Sequence, residues 1–394
     1  MNASATDRKI RVALVGCGSI ARSHILAYLG NRRAQLVGVY DIDADRGAAF
    51  AAEHGTTAYG TMSELVDQGP ALVSVATPPG SHAAVTVDLL ESGCSVLLEK
   101  PPTVNLADMD TLAAAEAASN GSVYVVFQHR HGSGARRAHQ LLTAGALGTP
   151  QVAVCETLWY RPASYFLPDW RGNWAGEGGG PSLGHGIHQI DLLLHLMGQW
   201  DSLTAKSARI ARPVEFEDVS TAVVTFASGA IGSVVTSLLS PRELSRIRID
   251  TTDGTLEVDH VYGYRDADWS WFSAPDTAAA TNNGRDPGPA SRNGHGASRR
   301  NEVADAWEAS AGADLPSNHR AQIDQLIDDL LAGRQHDTTL ASTRPTIEFV
   351  TALYASSLEG DTVRRSDLTP DQGFYHRLDG GLPAELVSSR LSLR

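Results

Sequence analysis

The stretch Val12-Ala13-Leu14-Val15-Gly16-Cys17-Gly18-Ser19-Ile20-Ala21 constrains this chain more than any other. A short apolar run ends in Gly-x-Gly-x-x-Ala and leads into a helix-like segment. Gly16 can turn the chain tightly after a strand. Gly18 has no Cβ, so a pyrophosphate can approach the backbone there, and Ala21 is small enough for helix and strand to pack together. A helix that starts here offers free N–H groups and a partial positive charge to phosphates. A glycine turn alone is also an ordinary strand-to-helix joint, and the context decides between the two. A second apolar run, Leu36-Val37-Gly38-Val39-Tyr40, ends in Asp41. That is about twenty residues on, where an acidic side chain binds the hydroxyls of an adenosine ribose. Gly16, Gly18, Ser19, Ile20 and Asp41 are therefore read as part of a dinucleotide site. Asp41 would accept from a ribose diol and repel a 2′-phosphate, which favours NAD over NADP. The nearby Arg46 softens that preference.

From Ile10 onward, short apolar runs alternate with helix-like segments, the rhythm of a doubly wound parallel sheet. The pattern predicts strands near 10–15, 36–40, 71–76, 95–98 and 123–127, with a short one near 57–59. Helices fit 19–30, 44–54, 61–68, 81–92 and 105–119. After Phe127 the rhythm stops. A helix fits 132–144, and β-rich segments follow at 151–158, 203–211, 219–226, 230–238, 245–251 and 254–259. Turns such as Ala227-Ser228-Gly229 break them, as in an antiparallel sheet. One helix, 184–197, interrupts the series. Residues 261–316 show no sustained period, helices resume at 318–333 and 343–358, and the tail from Ser366 reads as irregular.

Composition narrows the partners. A chain of 394 residues with a formal net charge of −13 lacks the basic footprint of nucleic-acid binding. Cys17, Cys94 and Cys155 have spacings of neither a disulfide framework nor a zinc knuckle. No apolar run is long enough to span a membrane, and residues 1–11 lack the apolar core of a signal peptide. A cytoplasmic protein is the expectation.

Two strand-to-helix joints carry chemistry. One is Ala76-Thr77-Pro78-Pro79-Gly80-Ser81-His82 and the other Glu99-Lys100-Pro101-Pro102. Both fall at C-terminal strand ends, where this fold binds ligands. Lys100 is either a solvated loop lysine or a cation that hydrogen-bonds a substrate oxygen and helps move a proton. Further on lies a glycine-rich run, Gly178 to Gly186, which contains His185 and leads into His188, Asp191 and His195. On a helix the last three share one face. They are either proton-handling groups, as histidine suits, or polar members of a buried helix. The spacing could also supply metal ligands, but no further His/Cys cluster accompanies it, and no metal is expected. Tyr160, Arg161, Trp170 and Arg171 precede the run and either hold a polar ring or pack between domains.

The ordered set of motifs resembles the Gfo/Idh/MocA oxidoreductase family. It comprises the Gly16–Ala21 loop, Thr77-Pro78 with His82, Glu99-Lys100-Pro101, and Gly179-Gly180 with Gly186-Ile187-His188-Gln189-Ile190-Asp191. Phe127-Gln128-His129-Arg130 and Trp170-Arg171 are further echoes. The resemblance implies an N-terminal Rossmann domain, placed at 8–128. It implies a C-terminal α/β domain with an open, mostly antiparallel sheet, placed at 129–394 and containing the irregular segment 261–316. It also implies a homodimer or homotetramer through that sheet, and NAD(H)- or NADP(H)-dependent chemistry, usually without metal, on a secondary alcohol of a sugar or cyclic polyol. By this resemblance Lys100 and His188 are catalytic. His185, Tyr160, Arg171 and Asp191 are candidates for substrate binding, and Thr77, Pro78, His82, Glu99, Lys100 and Gln128 join the cofactor set. One departure stands out: many polyol dehydrogenases of the family carry Asp four residues before the histidine, and this chain has Gly184 there. That leaves two alternatives to a simple dehydrogenase. One is a glycoside-processing enzyme that uses bound NAD transiently, and the other is a non-catalytic sugar- or dinucleotide-sensing regulator.

Overall fold

A computed structural model describes residues 8–274, 305–310 and 312–392. Residues 275–304 and 311 of the expected irregular segment 261–316 lie outside the described residues. The first five strands are β1 Ile10–Val15, β2 Ala34–Tyr40, β3 Leu72–Val75, β4 Ser95–Leu98 and β5 Val123–Val125. They form one parallel sheet in the order β2-β1-β3-β4-β5. Val12 to Val15, Leu72 to Val75 and Val123 to Val125 are buried throughout, as strands covered on both faces must be. The short strand expected near 57–59 is a single parallel bridge from Ala58 to Val39. The chain reverses direction across the sheet between β1 and β3, which opens a crevice at their C-terminal ends.

The remaining strands are β6 Pro150–Tyr160, β7 Trp200–Ala208, β8 Val219–Phe226, β9 Ile231–Ser237, β10 Leu239–Thr251, β11 Gly254–His260, β12 Trp269–Ser273 and β13 Val363–Arg364. Their order is β12-β11-β10-β6-β9-β8-β7-β13. Neighbours are antiparallel except β6 and β9, which run parallel. The exception follows from the connection: after β6 the chain crosses through the helices of the glycine-rich run and returns by β7 and β8 before pairing β9 with β6. Helices Ile187–Met197 and Leu340–Glu359 cover one face of this sheet. Helix His319–Ala332 instead returns to the first sheet, where Ile323, Leu326 and Ile327 pack with Val12, Tyr28, Leu72 and Val126.

Three local expectations are corrected. The helix expected at 184–197 is interrupted: a turn, Pro181–Gly184, ends at His185 (φ −122°, ψ −54°) before the helix Ile187–Met197 begins. Gly186 sits in the break because a Cβ there would lie 2.3 Å from Thr236 Cγ2 on β9. β12 lies in the stretch read as irregular, paired to β11 by the register Val258 to Trp269. The tail from Ser366 contains helices Gly373–His376 and Ala384–Leu391, whose Phe374, Tyr375, Val387 and Leu391 are buried.

Candidate active site

The glycine turn follows β1 directly. Gly16 has φ +90°, and a Cβ there would meet Ala76 O at 2.7 Å, so the turn is pressed against the end of β3. Gly18 faces open space, with no atom within 4 Å of where a Cβ would project. The helix Ala21–Gly30 starts without a side-chain cap and without an acidic residue in its first turn. By contrast, Asp43, Thr61 and Asn105 cap the helices that begin at Ala44, Met62 and Leu106. Uncapped N–H groups beside an open glycine are what a pyrophosphate needs. Asp41 stands at the end of β2. Its Oδ2 accepts Cys17 N at 2.7 Å and Arg46 Nε at 2.9 Å, and its Oδ1 accepts Asp43 N at 2.8 Å and an Arg46 guanidinium nitrogen at 2.7 Å. The residues present therefore fit an NAD(H) dinucleotide.

Arg46 bears on cofactor choice. It grips Asp41 with both arms but is about half exposed, so it can swing away. NAD should nonetheless outperform NADP, because Asp41 is held in place by two backbone N–H groups that do not move. Asp41→Asn should reduce kcat/KM for NAD by about 10–100-fold, the loss expected for charge-assisted hydrogen bonds. A comparison of both cofactors on both proteins checks this; a wild-type preference for NADP would contradict it.

Beyond the turn opens a cavity of about 510 Å3. Ser19, Ile20, Thr77, Glu99 and Lys100 border it from the first sheet, and Trp159, Arg171, His185, His188 and Tyr262 from the second. Lys100 Nζ donates to Gly184 O at 2.9 Å, so the lysine reaches across to the break before the histidine helix. Burial lowers its ammonium below the usual range, and the neighbouring Glu99 charge opposes that shift. His185 and His188 both line the cavity. Burial, with the Lys100 charge next to it, keeps both imidazoles well below the ordinary range, so they are neutral at pH 7. His185 faces Trp159 edge-on at 5.3 Å and approaches Tyr165 Oη at 3.4 Å. The Nδ1 atoms of His185 and His188 are buried without a hydrogen-bond partner. In the wall, Arg171 stacks on Tyr165 and Trp170 at 4.0 and 4.1 Å and pairs with Glu177 at 3.1 Å.

Several expected site residues lie elsewhere. Tyr160 is 42% exposed and stays outside the cavity, while Trp159, 9% exposed, lines it. Successive residues of β6 point to opposite faces, and the inward turn falls on Trp159. Asp191 is buried away from the cavity, where it takes the Nε and a terminal nitrogen of Arg130 and accepts Thr346 Oγ1 at 3.0 Å. His195 stacks on His139 at 3.9 Å, so His188, Asp191 and His195 have separate partners and do not converge on one ion. His82 is buried between the two joints, bonded to Thr77 O at 2.9 Å and Pro101 O at 2.8 Å, and braces the crevice. Pro79, rather than Pro78, borders the cavity. Gln128 is buried and donates to the Tyr262 hydroxyl. Trp159, Tyr165, Glu177, Glu243, Tyr262 and His319 line the cavity without having been singled out from the sequence. Only the strand alternation of β6 could have found Trp159; the others arrive through tertiary contacts.

A dinucleotide laid along the first sheet would reach Lys100 from one side and leave the rest of the cavity to a second molecule. That division of space is what a nicotinamide-dependent oxidoreductase requires. A profile for an oxidoreductase family with an NAD-binding Rossmann fold matches residues 10–127, and one for the GFO/IDH/MocA C-terminal domain matches residues 135–257. The chain belongs to the Gfo/Idh/MocA family of NAD(P)-binding oxidoreductases. D-apiose dehydrogenase of Paraburkholderia graminis is 27% identical over 277 residues, 65% of this chain and 69% of that protein. UDP-N-acetylglucosamine 3-dehydrogenase of Acidithiobacillus ferrooxidans is 26% identical over 260 residues, 64% of this chain and 77% of that one. The WlbA dehydrogenase of Bordetella pertussis, solved in complex with NADH and UDP-GlcNAcA, superposes with a TM-score of 0.75. It is 25% identical, and the match covers 91% of this chain and 98% of that one. Among the described residues no helix is long and apolar enough to cross a membrane.

Proposed function

We propose that this chain transfers a hydride between NAD(H) and a secondary carbinol of a sugar or cyclic polyol. The observation that carries the reading is Lys100, half-buried in a cavity with two neutral histidines and next to a cradle fitted for the dinucleotide. The dinucleotide, when bound, takes or gives the hydride at the carbinol carbon. Lys100 as a free amine accepts the hydroxyl proton during oxidation, and as an ammonium returns it during reduction. Gly184 O holds one N–H of the lysine and so aims the amine. His188, as a neutral imidazole, binds the same hydroxyl, while Trp159, Tyr165 and Trp170 offer apolar faces to a sugar ring. Purified protein given NAD and a panel of sugars and polyols should reduce NAD with at least one of them. Bound cofactor with no turnover across a broad panel would overturn the reading.

His185 and His188 divide the work. His188→Ala should lower kcat by about 10–100-fold, the loss expected for one hydrogen bond to the reacting hydroxyl. His185→Ala should also fall well below wild type, because His185 lines the cavity next to the position where relatives place an acid and its Nδ1 has no partner. Parallel kinetics on the two folded variants check this. A His185→Ala protein near wild type would reduce that residue to a wall of the cavity.

We also infer that two or more copies assemble through the outer face of the second sheet. Val152, Val223 and Ile231 are 46%, 56% and 55% exposed on neighbouring strands there, and such apolar surface marks an interface. Sedimentation should find a dimer or tetramer; a monomer at micromolar concentration would contradict it.

A further inference from the structure

Behind Lys100, Glu99 is held by a buried polar cluster that reaches beyond the cavity wall. Glu99 Oε1 receives His24 Nε2 at 2.8 Å and His319 Nε2 at 3.0 Å, and Glu99 Oε2 receives the backbone N–H of Lys100 at 3.1 Å. His24 Nδ1 lies 2.9 Å from Ser74 Oγ, which in turn lies 2.5 Å from the Tyr28 hydroxyl. His24, Glu99 and His319 are 0%, 5% and 9% exposed. A carboxylate only accepts, so the Nε2 of each histidine carries a hydrogen. His24 Nδ1 then accepts from Ser74, and Ser74 accepts from Tyr28. Every donor in the cluster runs toward Glu99. The histidines come from distant parts of the chain, on helices Ala21–Gly30 and His319–Ala332, which pack together and set the two rings 5.4 Å apart.

We propose that His24 and His319 are positioning residues for Lys100: their N–H groups hold Glu99 as a fixed negative charge at the root of the lysine and thereby govern its proton transfer. The proposal rests on the reading of Lys100 as the proton carrier. Burial works to neutralise Glu99, and the two histidine donors more than offset it, holding the carboxyl well below its usual range. Around Glu99, His82, His188 and Tyr262 are the other titratable groups that feel its charge. Around Lys100, the other charges and imidazoles are Arg171, Glu177, His82, His129, His185 and His188. Glu177 is tied up by Arg171, and the four imidazoles are kept neutral by burial. Glu99 is thus the anion that supports the ammonium. The arrangement supplies a carboxylate-backed pair of histidines in a chain where Gly184 denies His188 the usual acid.

Removing one donor raises the Glu99 carboxyl and loosens its hold at the root of the lysine. The ammonium then loses part of its supporting charge and gives up its proton at lower pH. The chain has three lysines, Lys9, Lys100 and Lys206, and Lys9 and Lys206 are exposed. Competitive acetylation of the full-length, cofactor-free protein, resolved by peptide mass, therefore reads Lys100 alone with the other two as references. Its midpoint should move down by about one pH unit or more in Glu99→Gln, and in the same direction by less in His24→Ala and His319→Ala. His319→Gln, which keeps an N–H donor, should move less. The limb of the oxidation pH profile that rises with pH should shift down in parallel. If the alanine variants do not fold, His319→Gln and Glu99→Gln carry the comparison. An unchanged Lys100 midpoint in folded Glu99→Gln would overturn the proposal. So would a stoichiometric metal ion held by His24, Glu99 and His319, whose ligand-type atoms lie within 4.8 Å of one another. If acetylation shifts but the pH profile does not, the histidines act as proposed and Lys100 is not the proton carrier.

Discussion

Lys100→Ala should lower kcat by at least about 10²–10⁴-fold, with binding of NAD little changed. The lysine is the cavity's cation with the reach to hand over a proton: its ammonium is lowered by burial and its Nζ is aimed by Gly184 O at 2.9 Å. Truncation removes the proposed proton carrier and leaves His185 and His188 as neutral imidazoles that burial makes reluctant to accept a proton. The dinucleotide cradle, built by Gly16, Gly18, Asp41 and the uncapped helix, is untouched. Stopped-flow kinetics beside a cofactor titration separate the two effects. A Lys100→Ala protein with kcat within a few-fold of wild type would place the proton transfer elsewhere. Lys100→Arg should rescue little, because a guanidinium does not give up its proton near neutral pH.

Asp191→Ala should destabilise the protein by about 3–5 kcal/mol, the cost of leaving a buried cation without its partner. Arg130 is 5% exposed and Asp191 fully buried, so the uncompensated guanidinium would have no route to water. Thr346 would lose its acceptor as well. The pair joins the turn Gln128–His131 to helix Ile187–Met197, and Thr346 adds helix Leu340–Glu359. Chemical unfolding should show the loss, while the fraction that stays folded should keep a near-normal KM. A raised KM at unchanged stability would return Asp191 to the substrate, where its position in the motif had first placed it.

How much of this was legible beforehand depends on the range of the interactions. The nucleotide half is local: strand, glycine turn, helix and Asp41 follow one another within a few dozen residues, and each leaves its own mark in the sequence. That Lys100 and His188 come to one cavity was legible for the same reason, since each sits in a compact motif. Tyr160 and Trp159 show where local reading stops. Both are aromatic neighbours on β6, and only the pairing of that strand with β10 and β9 decides which faces inward. Asp191 reads as a polar residue on the histidine face, yet its partner Arg130 lies in a turn beside the first sheet. His319 is further still: it follows a long segment without periodicity and reaches Glu99 only because its helix packs on the one after the glycine turn. The tail helices leave little mark in the sequence because their apolar residues are few and gain meaning only against helix Leu340–Glu359.

The fate of one hydrogen decides whether this chain transfers a hydride. Substrates of a sugar and polyol panel, deuterated at their carbinol carbons, are incubated with the protein and NAD, and the cofactor is recovered after a single turnover. Deuterium should appear in the NADH formed with at least one substrate and be lost in the Lys100→Ala protein. NAD that binds yet returns unlabelled and oxidised from every substrate would contradict hydride transfer.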